Sequence, residues 1–186
     1  MKAKKPVKSR TEVPAQKPEP VKPHVPPLME HPFTKSTPVV EKLKKLLERV
    51  EAEDTVAILI NADPDAISSA LALQRLFWRH VKKTWVFRIN VIKRADNLAM
   101  IKLLTIKEQH IRKLNPARIS RWAIVDSQPH HQEVLSKFRF DIIIDHHPQS
   151  KGSSAAFVDI REDYGATATM MTEYLRAAKI RNGASR

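Results

Sequence analysis

The chain has 186 residues, with 33 Lys and Arg against 20 Asp and Glu and no cysteine. This length favours one domain, or one domain and a tail, and argues against two full domains. The absence of cysteine excludes disulfides, thiolate zinc sites and cysteine nucleophiles, so a metal would be bound by Asp, Glu and His. The net charge of +13 fits nucleic acid, nucleotides or polyphosphate as a partner, and equally fits solubility alone.

Residues 1–37 form a basic, proline-rich segment without apolar periodicity, as in "VPAQKPEPVKPHVPPLMEHP". This composition predicts a disordered, partly polyproline tail before a domain that covers residues 38–186. A solvated leader is favoured over a nucleic-acid arm, because the segment lacks dense basic blocks and interleaved aromatic residues. With no long apolar run and no secretory h-region, we expect a cytoplasmic protein without membrane association.

Helical and strand patterns alternate along the rest of the chain. An amphipathic helix is predicted in "TPVVEKLKKLLERVEAED", with Thr37 as its cap, followed by the strand "TVAILI" and a helix from Ala66 to about Lys82. Further strands are predicted in "TWVFRINVI", "RWAIV", "DIII" and "AAFVDI", and further helices in "DNLAMIKLL", weakly in "QEVLSKF", and in "GATATMMTEYLRAAK". This order predicts an α/β fold with a doubly wound parallel sheet and helices on both faces.

Acidic and imidazole side chains follow three of the predicted strands. Asp63 and Asp65 follow the first in "NADPD", Asp126 follows "RWAIV", and the triplet "DHH" at residues 145–147 follows "DIII". Each has an ordinary explanation by itself: Asp65 could cap the next helix, Asp126 could be a turn residue, and the histidines could be structural. Together they would converge at the carboxyl edge of the sheet, where such folds bind ligands.

A mixed set of carboxylates and imidazoles suits manganese or another borderline divalent ion better than calcium or structural zinc. Two such ions about 3.5–4 Å apart would activate a water molecule and neutralise a phosphoryl group. The residues therefore point to hydrolysis of a phosphate ester.

Several ordered motifs resemble the DHH phosphoesterases, which include RecJ-like exonucleases, nanoRNase/phosphoadenosine-phosphate phosphatases and family II inorganic pyrophosphatases. The resemblance rests on "NADPDAISSALAL", "IVDSQP", "DIIIDHHP" and "DIREDYGATATMMTEYL", and it covers about residues 55–180. "DNLAMIKLL" and the last of these motifs are similar to the nanoRNase-like branch.

The resemblance implies a two-ion site for Mn²⁺, with a single ion or Mg²⁺ as alternatives. It implies that Asp63 binds one metal and Asp65 the other, that Asp126 bridges both, and that His146 is a further ligand. It also implies that His147 faces the phosphate or leaving group.

The resemblance further implies that Asp145 is not itself a metal ligand but orients a histidine and so fixes its tautomer. Thr167 and Thr169, at the start of the last helix, could position it against the site, but capping and packing of that helix is the preferred interpretation.

Two departures from the family pattern bear on activity. The family usually carries a histidine four residues before its first aspartate, and this chain has Leu59 there, with Asn61 or water as weak substitutes. Family members also continue to a fourth-motif aspartate and a substrate-binding domain, so the chain is expected to be truncated at its C-terminus.

The predicted function is a metal-dependent phosphoesterase that hydrolyses phosphodiester or phosphomonoester bonds of short oligonucleotides or nucleotides. The alternative is a degenerate or truncated DHH domain without catalysis that retains at most weak metal or partner binding. A basic nucleic-acid-binding module with an incidental acidic cluster is disfavoured, because carboxylates at three strand ends repel phosphate unless a metal intervenes. The sequence carries no prediction of oligomeric state.

Overall fold

The computed structural model describes residues 33–180, which form a six-stranded parallel sheet in the order β3-β2-β1-β4-β5-β6. This confirms the predicted α/β class and parallel sheet. The central strand β1 pairs with both β2 and β4, so Ile58 lies between Val86 and Ala123. The strands are β1 (Thr55–Ile60), β2 (Lys83–Arg88), β3 (Glu108–His110), β4 (Arg121–Val125), β5 (Ile142–Asp145) and β6 (Phe157–Ile160).

The two faces of the sheet are covered differently. Alternate residues of β1 belong to two apolar clusters, with Ile58 on one face and Leu59 on the other. The four α-helices contribute to the cluster that contains Ile58, and residues of short 3₁₀ segments contribute to the other. The α-helices are α1 (Val39–Leu47), α2 (Pro64–Phe77), α3 (Ala95–Leu103) and α4 (Thr167–Ala177).

The weak α-helix predicted in "QEVLSKF" is wrong. Two 3₁₀ turns lie in this region, Pro129–His131 and Leu135–Lys137, and Gln132 between them has an extended backbone. The segment is too short to nucleate an α-helix by itself, and tertiary packing fixes it instead. The fully buried Leu135 anchors the second turn to the sheet.

Element boundaries shift where local backbone chemistry outweighs the apolar pattern. Thr37 does not cap α1, because Pro38 holds the N-cap position and the Thr37 hydroxyl bonds to Thr34 at 3.0 Å instead. Helix α2 ends at Phe77, and Arg79 just beyond it has a left-handed backbone with φ 71°.

Most of the predicted tail, residues 1–32, lies outside the described residues. Phe33, which falls within the predicted tail, packs against the core, with its ring centroid 5.3 Å from that of Phe157. The Lys42 ammonium lies 5.3 Å from the centre of the Phe33 ring. Within residues 33–180, no helix is both long enough and apolar enough to span a membrane.

Candidate metal centre

The strand order reverses at β1, which places a crevice between the carboxyl ends of β1 and β4. Asp63 and Asp65 follow β1, Asp126 follows β4, and His146 follows β5. Residues that are distant in sequence are thereby collected at one edge of the sheet.

Asp63 begins helix α2. Its Oδ1 accepts a hydrogen bond from the backbone N–H of Ala66 at 2.9 Å, and Pro64 occupies the first helical position. The residue that caps this helix is therefore Asp63 rather than Asp65. The remaining carboxylate oxygen of Asp63 has no hydrogen-bond partner among the described residues, and the side chain is exposed.

Asp65 supplies a cap to a different helix. Its Oδ2 accepts from the N–H of Thr167 at 2.9 Å, and its Oδ1 accepts from the N–H of Ala168 at 2.7 Å. Ala166, the N-cap residue of α4, has no side-chain oxygen to offer. The Asp65 carboxylate takes over that task and fixes the amino end of α4 against the crevice.

Asp126 is buried and has a left-handed backbone with φ 58°. Its Oδ1 accepts a hydrogen bond from the Thr167 hydroxyl at 2.9 Å, so Thr167 contacts the site instead of capping α4. Burial, followed by the charges of Asp65 and Asp63, raises the pKa of Asp126 to about 8. Several carboxylates are thus crowded together at this edge.

His146 completes a three-residue cluster. Its Nδ1–H donates to the backbone carbonyl of Tyr164 at 3.0 Å, which in the neutral ring leaves the lone pair on Nε2. Nε2 lies 3.7 Å from Asp65 Oδ2 and 3.6 Å from Asp126 Oδ1. A ring held at Nδ1 by a carbonyl, with Nε2 facing carboxylates, is the usual arrangement of a metal-binding histidine.

Asp145 and His147 form a pair beside this cluster. The fully buried Asp145 accepts at Oδ1 from the Nδ1–H of His147 at 2.8 Å and from the backbone N–H of His146 at 2.9 Å. Burial favours neutral His147, but its hydrogen bond with Asp145 and nearby negative charges outweigh burial and raise the pKa of His147. The His147 side chain is 45% exposed, so it is accessible to a ligand.

Gln128 and His131 also lie at the site, although neither is among the residues predicted from the sequence. Gln128 is fully buried; its Nε2 donates to Asp145 Oδ2 at 2.7 Å, and its Oε1 accepts from the Ser150 N–H at 2.7 Å. The His131 ring meets the His147 ring edge-on, with centroids 5.5 Å apart. A second histidine pair after β4, in "DSQPHH", was the available signal for His131.

Two sets of side chains bring potential ligand atoms within 4.8 Å of one another. One consists of Asp126, His146 and His147, and the other of His131, Asp145 and His147. Both offer only oxygen and imidazole nitrogen, the donors expected for magnesium, manganese or zinc in a protein without cysteine. The crevice can therefore hold a divalent ion.

Leu59 takes no part in this site. It is fully buried and packs in the apolar cluster on the face of the sheet that the 3₁₀ segments cover. Asn61 is partly exposed, and its side-chain amide makes no hydrogen bond to another residue of the described range. Thr169, the other threonine considered from the sequence, is exposed.

Comparison with known proteins identifies the family of the chain. The family model described as "DHH family, N-terminal domain" matches residues 55–185. The uncharacterized protein MJ1633 of Methanocaldococcus jannaschii is 35% identical over 134 residues, which are 72% of this chain and 28% of that protein. The chain thus spans little more than a quarter of that relative. With a family match over well more than half of its length, the chain belongs to the DHH family.

Proposed function

We propose that the protein is a Mn²⁺-dependent phosphoesterase that acts on short oligonucleotides or nucleotides. The DHH family is metal-dependent and suggests phosphoesterase chemistry. The observation that carries the proposal is the approach of Asp65, Asp126 and His146 Nε2 at distances of 3.6 and 3.7 Å.

These distances fit the binding of one metal ion by all three side chains. Two donor atoms that each lie about 2.1 Å from one ion are separated by roughly 3.0–3.4 Å in octahedral or tetrahedral geometry. The spacing around His146 Nε2 is only slightly wider, so small side-chain rotations would close it. Burial, followed by the charges of Asp65 and Asp63, raises the pKa of Asp126, and a bound cation would favour its ionised form.

We assign metal binding to Asp63, Asp65, Asp126 and His146. A pair of bound Mn²⁺ ions would supply charge neutralisation for the phosphoryl group and a water molecule of lowered pKa. Asp126, whose Oδ1 lies 3.6 Å from His146 Nε2, would be the ligand shared by two ions, the role that the family resemblance implies for it. Helix α4 holds Asp65 and Asp126 in place through its first-turn N–H groups and the Thr167 hydroxyl.

We assign proton donation to His147. Its Nδ1–H is held by Asp145 at 2.8 Å, which directs the opposite ring nitrogen away from the buried carboxylate. Its raised pKa favours the protonated ring more than in a free imidazole, and a protonated ring nitrogen can contact a phosphate oxygen or protonate the leaving oxygen. Asp145 acts through His147 by orienting the ring and stabilising its charge.

Leu59 favours a second candidate, a DHH domain that binds one ion weakly and does not turn over substrate. A buried leucine cannot replace an imidazole ligand, and the first ion would lose one donor. The two candidates differ in rate, and they share the ligands Asp65, Asp126 and His146.

The deciding experiment is a hydrolysis assay with Mn²⁺ on a short RNA and on a nucleoside monophosphate. The wild type is compared with Asp126→Asn and with Asp163→Asn, a matched control at an exposed aspartate outside the crevice. Manganese-dependent cleavage that Asp126→Asn abolishes and Asp163→Asn retains supports the phosphoesterase. Manganese binding without any cleavage would instead support the non-catalytic domain.

A further inference from the structure

A second cleft, of about 290 Å³, lies away from the metal centre. Its lining begins at Thr55, the first residue of β1, whereas the metal centre follows the last residue of that strand. Strand β2, strand β3 and the 3₁₀ segments Ile111–Lys113 and Pro116–Arg118 provide most of its walls.

One face of β2 supplies a cation and two aromatic rings to this cleft. Lys83, Trp85 and Phe87 alternate along the strand and therefore point to the same side of the sheet. The Trp85 and Phe87 rings lie 6.5 Å apart, and the Lys83 ammonium lies 4.0 Å from the centre of the Trp85 ring. Trp85 is only partly buried, so a flat ligand can reach it once the exposed Lys83 side chain moves.

The charge of the cleft is of one sign. Its lining contains Lys82, Lys83, Lys113 and Arg118 and no Asp or Glu. Only Lys82 has an ion-pair partner among residues 33–180, the exposed Glu53 at 3.2 Å. Three cations without carboxylate partners around a partly buried aromatic ring repel one another, and an anion bound between them would relieve that repulsion.

We propose that this cleft binds single-stranded nucleic acid, with phosphates contacting Lys83, Lys113 and Arg118 and a base stacking on Trp85. Proteins that bind single strands combine a basic groove with aromatic side chains on which bases stack. In the proposed phosphoesterase the cleft would anchor the substrate, and this role rests on the proposed function. It makes oligonucleotides, rather than mononucleotides, the substrate class.

The separation of the two sites sets a length for the anchored strand. The six-residue strand β1 runs from the cleft to the metal centre, a distance of about 17 Å at 3.3 Å per residue. A stacked single strand advances about 3.4 Å per nucleotide and must pass around the buried sheet, so at least about five nucleotides are needed to bridge the two sites. Shorter substrates reach the metal centre without contacting the cleft.

The test is fluorescence anisotropy of a labelled single-stranded RNA decanucleotide in EDTA, titrated at several salt concentrations. Lys113→Gln with Arg118→Gln is compared with Lys44→Gln with Arg176→Gln, a pair of exposed residues on helices α1 and α4 that removes the same charge. The first pair is expected to lower the slope of log affinity against log salt by about 1.4, at 0.7 per lost phosphate contact. The second pair is expected to leave the slope unchanged.

Trp85→Leu tests the stacking step and is expected to weaken binding at least about fivefold without changing the salt slope. Thermal melts establish whether this variant is folded. If it is not, Lys113→Gln with Arg118→Gln provides the test of the cleft proposal. Equal losses in both charge pairs, or no binding by the wild type, would overturn the cleft proposal. If the cleft proposal failed in this way, hydrolysis of a dinucleotide with Mn²⁺ would still support the proposed function. Specific binding of RNA at the cleft without any hydrolysis would overturn the proposed function and leave the cleft proposal intact.

Discussion

Replacing Asp126 with asparagine should stabilise the protein in the absence of metal. The folded-state pKa of Asp126 is raised from 3.8 to about 8 by burial and by the charges of Asp65 and Asp63. Between these two values the folded protein holds a proton that the unfolded chain has released, so stability falls as pH rises. The slope is at most about 1.4 kcal/mol per pH unit, and the total is about 2–4 kcal/mol after solvent screening at the open edge.

Asparagine has nearly the same shape as protonated aspartate, keeps an acceptor for the Thr167 hydroxyl and does not ionise. Urea unfolding in EDTA should therefore show Asp126→Asn equal to wild type near about pH 4 and more stable by the full amount near about pH 8. The control Asp163→Asn, at an exposed carboxylate, should follow wild type across this range.

Manganese should offset much of the stability difference between the wild type and Asp126→Asn. Wild type should gain about 2.7 kcal/mol at a hundredfold excess over the dissociation constant, and Asp126→Asn should gain much less. Parallel pH curves for wild type and Asp126→Asn in EDTA would refute the reasoning, because they would show that Asp126 ionises like a surface carboxylate.

Three further outcomes are expected. Gln128→Ala should lower the free energy of unfolding in urea by about 1–3 kcal/mol, because buried Asp145 loses a hydrogen-bond donor. It should lower kcat more than manganese affinity, and equal losses of both would contradict a positioning role. Phe33→Ala should lower the free energy of unfolding by about 1–2 kcal/mol, whereas removal of residues 2–32 should leave the melting temperature unchanged. A large shift of the melting temperature on that removal would contradict the expectation that packing against the core begins at Phe33. Asp159→Asn should cost about 3–5 kcal/mol by stranding buried Lys42. Burial raises the pKa of Asp159, but its hydrogen bonds and ion pairs outweigh burial and lower that pKa. The stability that the ionised carboxylate contributes is therefore complete above the ordinary pKa of aspartate and is lost as the pH falls further. Asp159→Asn should not show this loss of stability in acid.

The sequence predicted the strands that carry the site because they are short aliphatic runs. "TVAILI", "RWAIV" and "DIII" are largely buried and bounded by polar residues, a pattern with few alternatives. Strand β3 was missed, since its three residues, Glu108–His110, are all polar and form a strand only by pairing with β2. Tertiary context decides such an element.

The convergence of Asp65, Asp126 and His146 was predictable, because parallel strands end at the same edge. The capping of α4 by Asp65 was not, since that contact joins residues about a hundred positions apart and depends on how two helices pack. The role of Gln128 was also hidden. A glutamine after a strand is usually exposed, and only the fold shows it fully buried between the loops after β4 and β5.

The central position of β1 has a consequence for the order of events during synthesis. β1 is made before both of its neighbours in the sheet, and one of them, β4, is translated only after β2 and β3. Until β4 arrives, one edge of an apolar strand has no partner, and contacts so distant in sequence form slowly. The open edge of β1 should therefore be available to other strands during that interval, and binding of a metal ion at the crevice would report that the middle of the sheet has closed.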